Sequence, residues 1–323
     1  MSYAIRIHRH GGPEVLQWEP VELGTPARDE VLVRHTAIGL NFLDVYERTG
    51  LYPVTLPLVP GREAAGVVEA LGEGVRHLAV GDRVAYVASS SGAYSEKRIV
   101  PAERVVRVPK EIDERTAAAV LLKGLTAQML LRQVYRVRKN DFVLIHAAAG
   151  GVGSLLVPWA KHIGARVIAV VGSESKIEHV RSLGADHVFL ADDDWVDRTK
   201  AIAGHQGVHV VYDSVGKDTF VRSLDSLRPR GMMVTFGNAS GPAPSIAPLE
   251  LAKRGSLFLT RPTLFDYIRT RAALVKAVQE LFDLVLRSVI SVNVGQTFRL
   301  QDAAEAHRQL EARQTQGSTV LLP

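Results

Sequence analysis

The chain has 323 residues, of which 46% are hydrophobic and 23% charged, with a net charge of +5; this length exceeds one typical domain and suggests two, each able to bury its own core. No cysteine is present, which excludes disulfides, a cysteine nucleophile and cysteine-ligated zinc, and suits a cytoplasmic setting. Charge is spread along the chain, Asp192-Asp193-Asp194 being the longest block, so the mild positive balance favours anionic small molecules and gives no argument for nucleic acid.

The first residues, Met1-Ser2-Tyr3-Ala4-Ile5-Arg6, carry no apolar signal core, and no later run reaches the ~18 apolar residues of a membrane span, so no membrane partner is expected. Up to about residue 120 the pattern is one of short strands: Tyr3–Ile7, Glu30–Arg34, Ala65–Leu71 and Asp82–Val87, separated by His10-Gly11-Gly12-Pro13 and by the turns at Gly72, Gly74 and Gly81. Such spacing predicts a compact antiparallel barrel or sandwich. Between these strands, Asn41, Asp44 and Tyr46 share part of one helical turn; Asp44 could cap that helix.

From Asp113 the texture becomes helical, over Glu114–Leu122 and again over Ala127–Gln133, with Lys123-Gly124-Leu125-Thr126 between. Then strands and helices alternate. Phe142–Ile145 and Val167–Val171 read as buried parallel strands, His187–Leu190, Val208–Tyr212, Met232–Phe236 and Ser256–Thr260 as further ones, and Lys176–Leu183 and Asp194–Ala203 as helices. This alternation predicts a doubly wound parallel sheet, with ligand at the carboxyl ends of its strands, near Gly172, Asp213, Phe236 and Phe258. Two amphipathic helices, Ala272–Leu286 and Asp302–Glu311, and a strand at Ser318–Leu322 are expected to return to the first domain. The fold class is thus α/β, with domains at residues 1–121, 122–262 and 263–323, the last rejoining the first.

The most informative stretch is Ala147-Ala148-Ala149-Gly150-Gly151-Val152-Gly153, set between strand and helix. Small residues let the backbone approach a pyrophosphate, and the helix N-terminus offers free N–H groups and a positive dipole end. Against G-x-G-x-x-G, Ala148 replaces the first glycine while Gly150 and Gly153 match. Pro158 falls inside the following helix. It removes one hydrogen bond and costs ~3 kcal/mol where nothing relieves it, so a kink is expected.

Asn41–Tyr46, Gly61-Arg62-Glu63-Ala64-Ala65-Gly66, Gly81-Asp82-Arg83-Val84, Leu122–Thr126, Ala148–Gly153, Asp213-Ser214-Val215-Gly216 and Arg313–Ser318 together resemble the zinc-independent NADPH:quinone oxidoreductases, the zeta-crystallin-like branch of the medium-chain dehydrogenases/reductases. The resemblance covers nearly the whole chain. It implies a GroES-like catalytic domain built from both ends of the chain, around a Rossmann domain, with NADPH in the cleft between them and a homodimer. The cofactor-lining candidates are Asn41, Phe42, Asp44 and Tyr46; Thr126; Gly150, Gly151 and Val152; Gly172, Ser173 and Lys176; Val215; Phe236, Gly237, Asn238 and Ser240; Phe258 and Thr260; and Arg313. Tyr52, Tyr46 and Asn41 are the catalytic candidates, with Tyr52 facing substrate.

Zinc alcohol dehydrogenases of that superfamily carry a cysteine where this chain has Asn41 and a histidine where it has Arg62, and the eleven histidines show no paired ligand spacing. No metal is therefore expected. A quinone is electrophilic enough to accept hydride with hydrogen-bond help alone, whereas an unactivated carbonyl needs a Lewis acid. Where an NAD enzyme places an acidic residue to clamp the ribose, ~20 residues beyond the glycine turn, this chain has Gly172-Ser173 and then Lys176; these suit a 2′-phosphate. Relatives often carry Asn-Tyr-Arg where this chain reads Leu190-Ala191-Asp192, so the phosphate loses a tyrosine neighbour. The expected function is NADPH-dependent quinone reduction, with reduction of activated alkenes as the alternative and a cofactor-bound RNA-binding or redox-sensing protein as a reading from another class. Lys123 is open to a structural role in an ion pair, and His146 to that of a buried, satisfied histidine.

Overall fold

The computed structural model describes residues 2–323. In chain order, β1 (Ser2–Arg6), β2 (Gln17–Val21), β3 (Glu30–Leu40), α1 (Phe42–Thr49), β4 (Glu63–Leu71), β5 (Arg83–Val87), β6 (Lys97–Pro101) and β7 (Val105–Arg107) lead to α2 (Glu114–Met129). An alternating stretch follows: β8 (Phe142–His146), α3 (Gly153–Ile163), β9 (Arg166–Val171), α4 (Ile177–Ser182), β10 (His187–Leu190), α5 (Trp195–Ile202), β11 (Val208–Asp213), α6 (Phe220–Asp225), β12 (Leu227–Thr235), α7 (Pro248–Lys253), β13 (Phe258–Thr260) and α8 (Leu264–Tyr267). Then come α9 (Arg271–Leu286), β14 (Val294–Arg299), α10 (Ala303–Glu311) and β15 (Ser318–Leu322). The chain divides into two compact units, one comprising the residues up to Leu125 with Arg269–Leu286 and Val292–Pro323, the other Thr126–Ile268 with Arg287–Ser291. The first break lies inside α2, whose residues are helical on both sides of it.

In the first unit β1 and β2 pair antiparallel, and a seven-stranded sheet runs β14-β15-β3-β4-β5-β7, with β6 paired to β3. The long strand β3 serves three neighbours: Glu30–Arg34 pairs with β6, Ile38–Leu40 with β15, and its length with β4 through register shifts at Leu32/Val33 and His35/Ala37. Those irregularities break the alternation, which is why the sequence pattern announces only its first half. Gly66 in β4 lies so close to β3 that a Cβ there would stand 2.0 Å from the Arg34 carbonyl oxygen. The small run Ala64-Ala65-Gly66 is what permits that crossing. Ile5, Val31, Ile38, Val68, Tyr86 and Leu321 are among the side chains of its core.

The second unit is a six-stranded parallel sheet ordered β10-β9-β8-β11-β12-β13. β8 is the earliest strand and lies inside the sheet, so the chain winds outward from it in both directions and the order reverses beside it. Its residues Val143, Leu144 and Ile145 are fully buried, consistent with helices on both faces and with an apolar run that does not alternate. α2 continues without interruption through Gly124, where a Cβ would lie 2.5 Å from Leu281 of α9; the glycine serves close helix packing rather than a break. α3 is likewise one α-helix across Pro158, whose neighbours Val157 and Trp159 are buried. β14, α6 and α7 had no distinct signal in the pattern. Among the described residues no helix is long and apolar enough to cross a membrane.

Candidate active site

In the first unit the functional candidates cluster at the start of α1. Asn41 is its N-cap in extended backbone, and the carboxylate of Asp44, three residues on, accepts the Asn41 N–H at 2.9 Å. Gly50 ends the helix with φ 82°, a left-handed cap suited to glycine. Asp44 therefore does cap the helix, yet it is completely buried. Tyr46 and Tyr52 pack with ring centroids 5.2 Å apart, and Tyr46 also meets Phe42 at 6.1 Å. Asn41, Phe42, Tyr46 and Tyr52 thus lie in one small cluster.

Beneath it lies a polar network whose other members gave little sign in the sequence. Asn41 Nδ2 donates to Glu63 Oε1 at 2.8 Å, the Leu122 N–H to Glu63 Oε2 at 2.7 Å, and Lys123 Nζ reaches Glu63 Oε1 at 3.3 Å. Glu63 is fully buried, and Gly39 leaves it room, since a Cβ there would fall 2.2 Å from Glu63 Oε1. Lys123 therefore has the ion-pairing role open to it. Glu47, also buried, accepts Arg62 Nε at 2.8 Å and Ser91 Oγ at 2.6 Å, and Arg62 Nη2 closes on the same carboxylate. Arg48 reaches Glu311 at 2.7 Å and His307 Nδ1 at 3.4 Å, His307 Nε2 lies 3.1 Å from the Tyr94 hydroxyl, and that hydroxyl donates to Asp44 Oδ2 at 2.9 Å.

Burial raises the Asp44 pKa to about 7, with Glu47 adding to the rise, while the Asn41 N–H and the Tyr94 hydroxyl pull the other way and Glu63 pushes up again. Burial lowers His307 to about 3, with Arg48 adding to the fall, and drives the Tyr94 phenol well above its ordinary value, reinforced by Asp44. His307 is accordingly neutral.

In the second unit the glycine turn follows β8 at the point where the sheet order reverses. Ala147 has φ 49°, so the left-handed residue of the turn is Ala147, one place before the motif's Ala148, at a cost for a side-chain-bearing residue. Gly153 is forced: a Cβ would lie 2.4 Å from the Ala147 oxygen and 2.7 Å from Ala148 Cα. Gly150 differs, for within 4 Å its Cβ would meet only the Ala147 oxygen, at 3.1 Å. Gly151 and Val152, half-buried beside it, complete the approach to the N-terminus of α3.

The neighbouring strand ends are tied together. Asp213 Oδ1 accepts the N–H groups of Val215 and Gly216 at 2.8 and 3.1 Å, and Ser240 Oγ donates to the Val215 oxygen at 2.9 Å. The Phe236 N–H bonds to the Asp213 oxygen at 2.8 Å, and Gly237 lies so close that a Cβ would stand 2.3 Å from the Ser214 oxygen. Phe236, Gly237, Asn238, Ser240 and Val215 are thus brought together. After β9, a Cβ on Gly172 would meet nothing within 4 Å; Ser173 Oγ lies 3.0 Å from Ser175 Oγ, and Lys176 follows, half-buried. Ala191 leaves no ring beside this turn, and its carbonyl is held by Arg222 at 3.1 Å and by Trp195 at 3.3 Å.

One placement needs correcting. Phe258 opens β13, pairing with Met232, and is 54% exposed; Thr260 holds the carboxyl end. Phe258 was expected at a strand tip because the apolar run centres on it, but parallel register places the tip two residues later. Sequence reasoning also missed Arg261, whose Nη1 donates to the Gly237 oxygen at 3.1 Å beside a cavity of about 260 Å³ lined by Thr260, Arg261, Pro262, Thr263, Asp266 and Tyr267. Thr126 is half-buried in α2, and Arg313 is exposed just past α10 with φ 59°. His146 is buried with Nε2 2.9 Å from Ser223 Oγ, the role of an internal histidine.

A β-rich unit interrupted by a doubly wound nucleotide-binding sheet is the architecture of the medium-chain dehydrogenases/reductases, and the comparisons agree. Residues 27–110 match the family described as the alcohol dehydrogenase GroES-like domain, and residues 151–287 the family described as zinc-binding dehydrogenase. The chain is 48% identical to a quinone oxidoreductase of Salmonella typhimurium, covering 100% of both chains, and 47% identical to a 2-haloacrylate reductase of Burkholderia sp, covering 100% of this chain and 99% of the other. Its fold matches the crystal structure of Escherichia coli quinone oxidoreductase complexed with NADPH, with TM-score 0.97 and 46% identity over 99% of this chain and 100% of that one. The chain belongs to the quinone oxidoreductase family of the medium-chain dehydrogenases/reductases. Although one matched family is described as zinc-binding, Asn41 and Arg62 are engaged by Glu63 and Glu47, and among the described residues no group of three or more His, Cys, Asp or Glu side chains is placed to hold a metal ion.

Proposed function

We propose that this protein is an NADPH-dependent quinone oxidoreductase working without metal. The observation that carries the reading is the turn at Gly150, a cradle of small residues at the head of α3, open except at the Ala147 oxygen; a dinucleotide pyrophosphate fits such a place. NADPH bound there supplies a hydride. Gly150, Gly151 and Val152 would hold the pyrophosphate through backbone N–H groups, Ser173 and Lys176 the 2′-phosphate, and Val215, Phe236, Gly237, Asn238, Ser240 and Thr260, at the neighbouring strand ends, would line the rest of the cofactor. By the family resemblance, Asn41, Phe42, Asp44 and Tyr46 serve the nicotinamide, with Thr126 and Arg313 also contributing to cofactor binding.

Charge developing on the acceptor oxygen calls for an aimed donor. Tyr52 is suited to that task because a phenol donates without ionising. Asn41 and Tyr46 are suited to positioning. A Tyr52→Phe variant is expected to lose about ten- to a thousandfold in turnover, on the scale of oxyanion donors elsewhere, with NADPH affinity nearly unchanged. Unaltered turnover would make Tyr52 a pocket wall.

Cofactor choice is tested at Lys176. Lys176→Glu is expected to weaken NADPH binding far more than NADH binding, because only the former carries the 2′-phosphate; equal losses would separate Lys176 from that phosphate. The relationship to a 2-haloacrylate reductase favours a second reading, reduction of activated alkenes at the same site. NADPH consumption with quinones, enones, enoyl thioesters and 2-haloacrylates, each with a chelator present, decides between them. Loss of activity on chelation would overturn the metal-free reading.

We also infer a homodimer in the cytoplasm. Two features support self-association: β13 ends its sheet after three residues, and Phe258 on it and Leu249 on α7 are 54% and 63% exposed. Sedimentation of the purified protein measures it.

A further inference from the structure

Three carboxyl side chains lie buried together around the start of α1, and cations match only two of them. Glu47 on α1 has Arg62, and Glu63 on β4 has Lys123 of α2. Asp44 has no cation of its own. Arg48, on the same helix, is committed to Glu311 and His307 of α10. Asp44 Oδ2 receives the Asn41 N–H and the Tyr94 hydroxyl, both neutral donors, while Oδ1 is buried and finds no hydrogen-bond partner among the described residues.

The hydrogen bonds leading to Asp44 have one direction. Arg48 carries only protons to give, so His307 Nδ1 accepts; His307 Nε2 then donates to the Tyr94 oxygen, and Tyr94 donates to Asp44. Each member offers its hydrogen toward the carboxyl and favours its charged form. Burial and the neighbouring carboxylates Glu47 and Glu63 oppose that charge. The balance leaves Asp44 as the group in the cluster able to gain or lose a proton while every other member stays paired.

We propose that Asp44 is the proton-exchanging group of the active site, with Tyr94 and His307 as positioning residues that set its charge, so that oxidised and reduced nicotinamide cofactor bind with different dependence on pH. The proposal rests on the assignment of the Asn41–Tyr46 segment to the nicotinamide. An oxidised nicotinamide ring carries a positive charge that the reduced ring lacks, and an ionised Asp44 attracts it. With the Asp44 pKa raised to about 7, the carboxyl is protonated on the acid side of neutrality and ionised on the alkaline side.

The test is the ratio of the dissociation constants of NADPH and NADP⁺, measured by fluorescence titration from about pH 5.5 to about pH 8.5. Ionisation of the 2′-phosphate is common to both cofactors and cancels in the ratio. The ratio is expected to rise about tenfold across neutrality, the scale of one added charge pair at intermediate dielectric. Asp44→Asn should flatten it, and Tyr94→Phe, which removes a donor to the charged form, should move the midpoint to higher pH. A flat wild-type ratio with both cofactors bound overturns the proposal, as does an unchanged curve in Asp44→Asn. If neither cofactor binds at any pH, the cofactor assignment itself has failed. The charge state is then read separately, from the carbon-13 carboxyl resonance of Asp44 in the cofactor-free protein, identified by its loss in Asp44→Asn. A titration near neutrality supports the proton-exchanging role, and a carboxylate ionised throughout the range overturns it.

Discussion

Replacing Glu63 by alanine is expected to destabilise the GroES-like unit by about 3–5 kcal/mol, the usual cost of stripping one partner from a buried ion pair. Three donors lose the Glu63 carboxylate at once: the Lys123 ammonium, the Leu122 N–H and the Asn41 side-chain amide. Lys123 is 5% exposed, so water cannot readily replace the carboxylate, and a charge left without a partner there is what makes the loss large. Glu63→Gln keeps the volume and one oxygen acceptor but turns an N–H₂ toward donors, so an intermediate loss of about 1–3 kcal/mol is expected. Urea unfolding of both variants measures the difference. An alanine variant within about 1 kcal/mol of wild type would show that the pair is no net contributor, as holds for many exposed pairs. Because Glu63 also fixes the Asn41 amide, the glutamine variant should lose turnover as well, linking the network's stability to the site it supports.

That network also shows where sequence reading ran out. The strand–turn–helix–strand of β8, α3 and β9 was legible almost to the residue, because its signal is local: an apolar run, a cluster of small residues, a helical period and a second apolar run. Asn41, Asp44 and Tyr46 were legible as one helical turn for the same reason. Glu63, Tyr94 and His307 were not. Tyr94 meets Asp44 across 50 residues and His307 meets Tyr94 across 213, and a Glu, Arg or His in isolation reads as a solvated side chain. One clue existed: Glu63 stands directly before Ala64-Ala65-Gly66, a charge next to residues too small to occupy a solvent face, which points to a strand packed tightly on both sides. At β13 the reading went astray differently: the expected strand ends at Thr260 as β13 does, but Phe258, at the centre of the apolar run, is the first residue of a three-residue strand, too short for pattern alone to show which residue forms its tip.

Gly150→Val is expected to abolish tight NADPH binding while leaving the Rossmann unit folded. The turn contains two glycines with different physical reasons to exist. At Gly153 a Cβ would press on the Ala147 oxygen at 2.4 Å and on Ala148 Cα at 2.7 Å. These are backbone atoms of the same turn and cannot swing aside, so Gly153→Val should lower stability and binding together. At Gly150 the one neighbour is the Ala147 oxygen at 3.1 Å, a contact from which the turn must give by a few tenths of an ångström but which falls short of the clash at Gly153, so the stability loss should be about 1–2 kcal/mol and smaller than that of Gly153→Val. What a valine there fills is the space a pyrophosphate needs to reach the backbone N–H groups at the head of α3. Two hydrogen bonds to a charged ligand, each contributing roughly 1.5–3 kcal/mol, would be lengthened or lost, which corresponds to about a hundredfold or more in dissociation constant. Calorimetric titration with NADPH, beside a thermal melt of each variant, separates the two glycines. Wild-type affinity in Gly150→Val would mean that the pyrophosphate does not lie on this turn, and the nucleotide site would have to be sought elsewhere on the sheet.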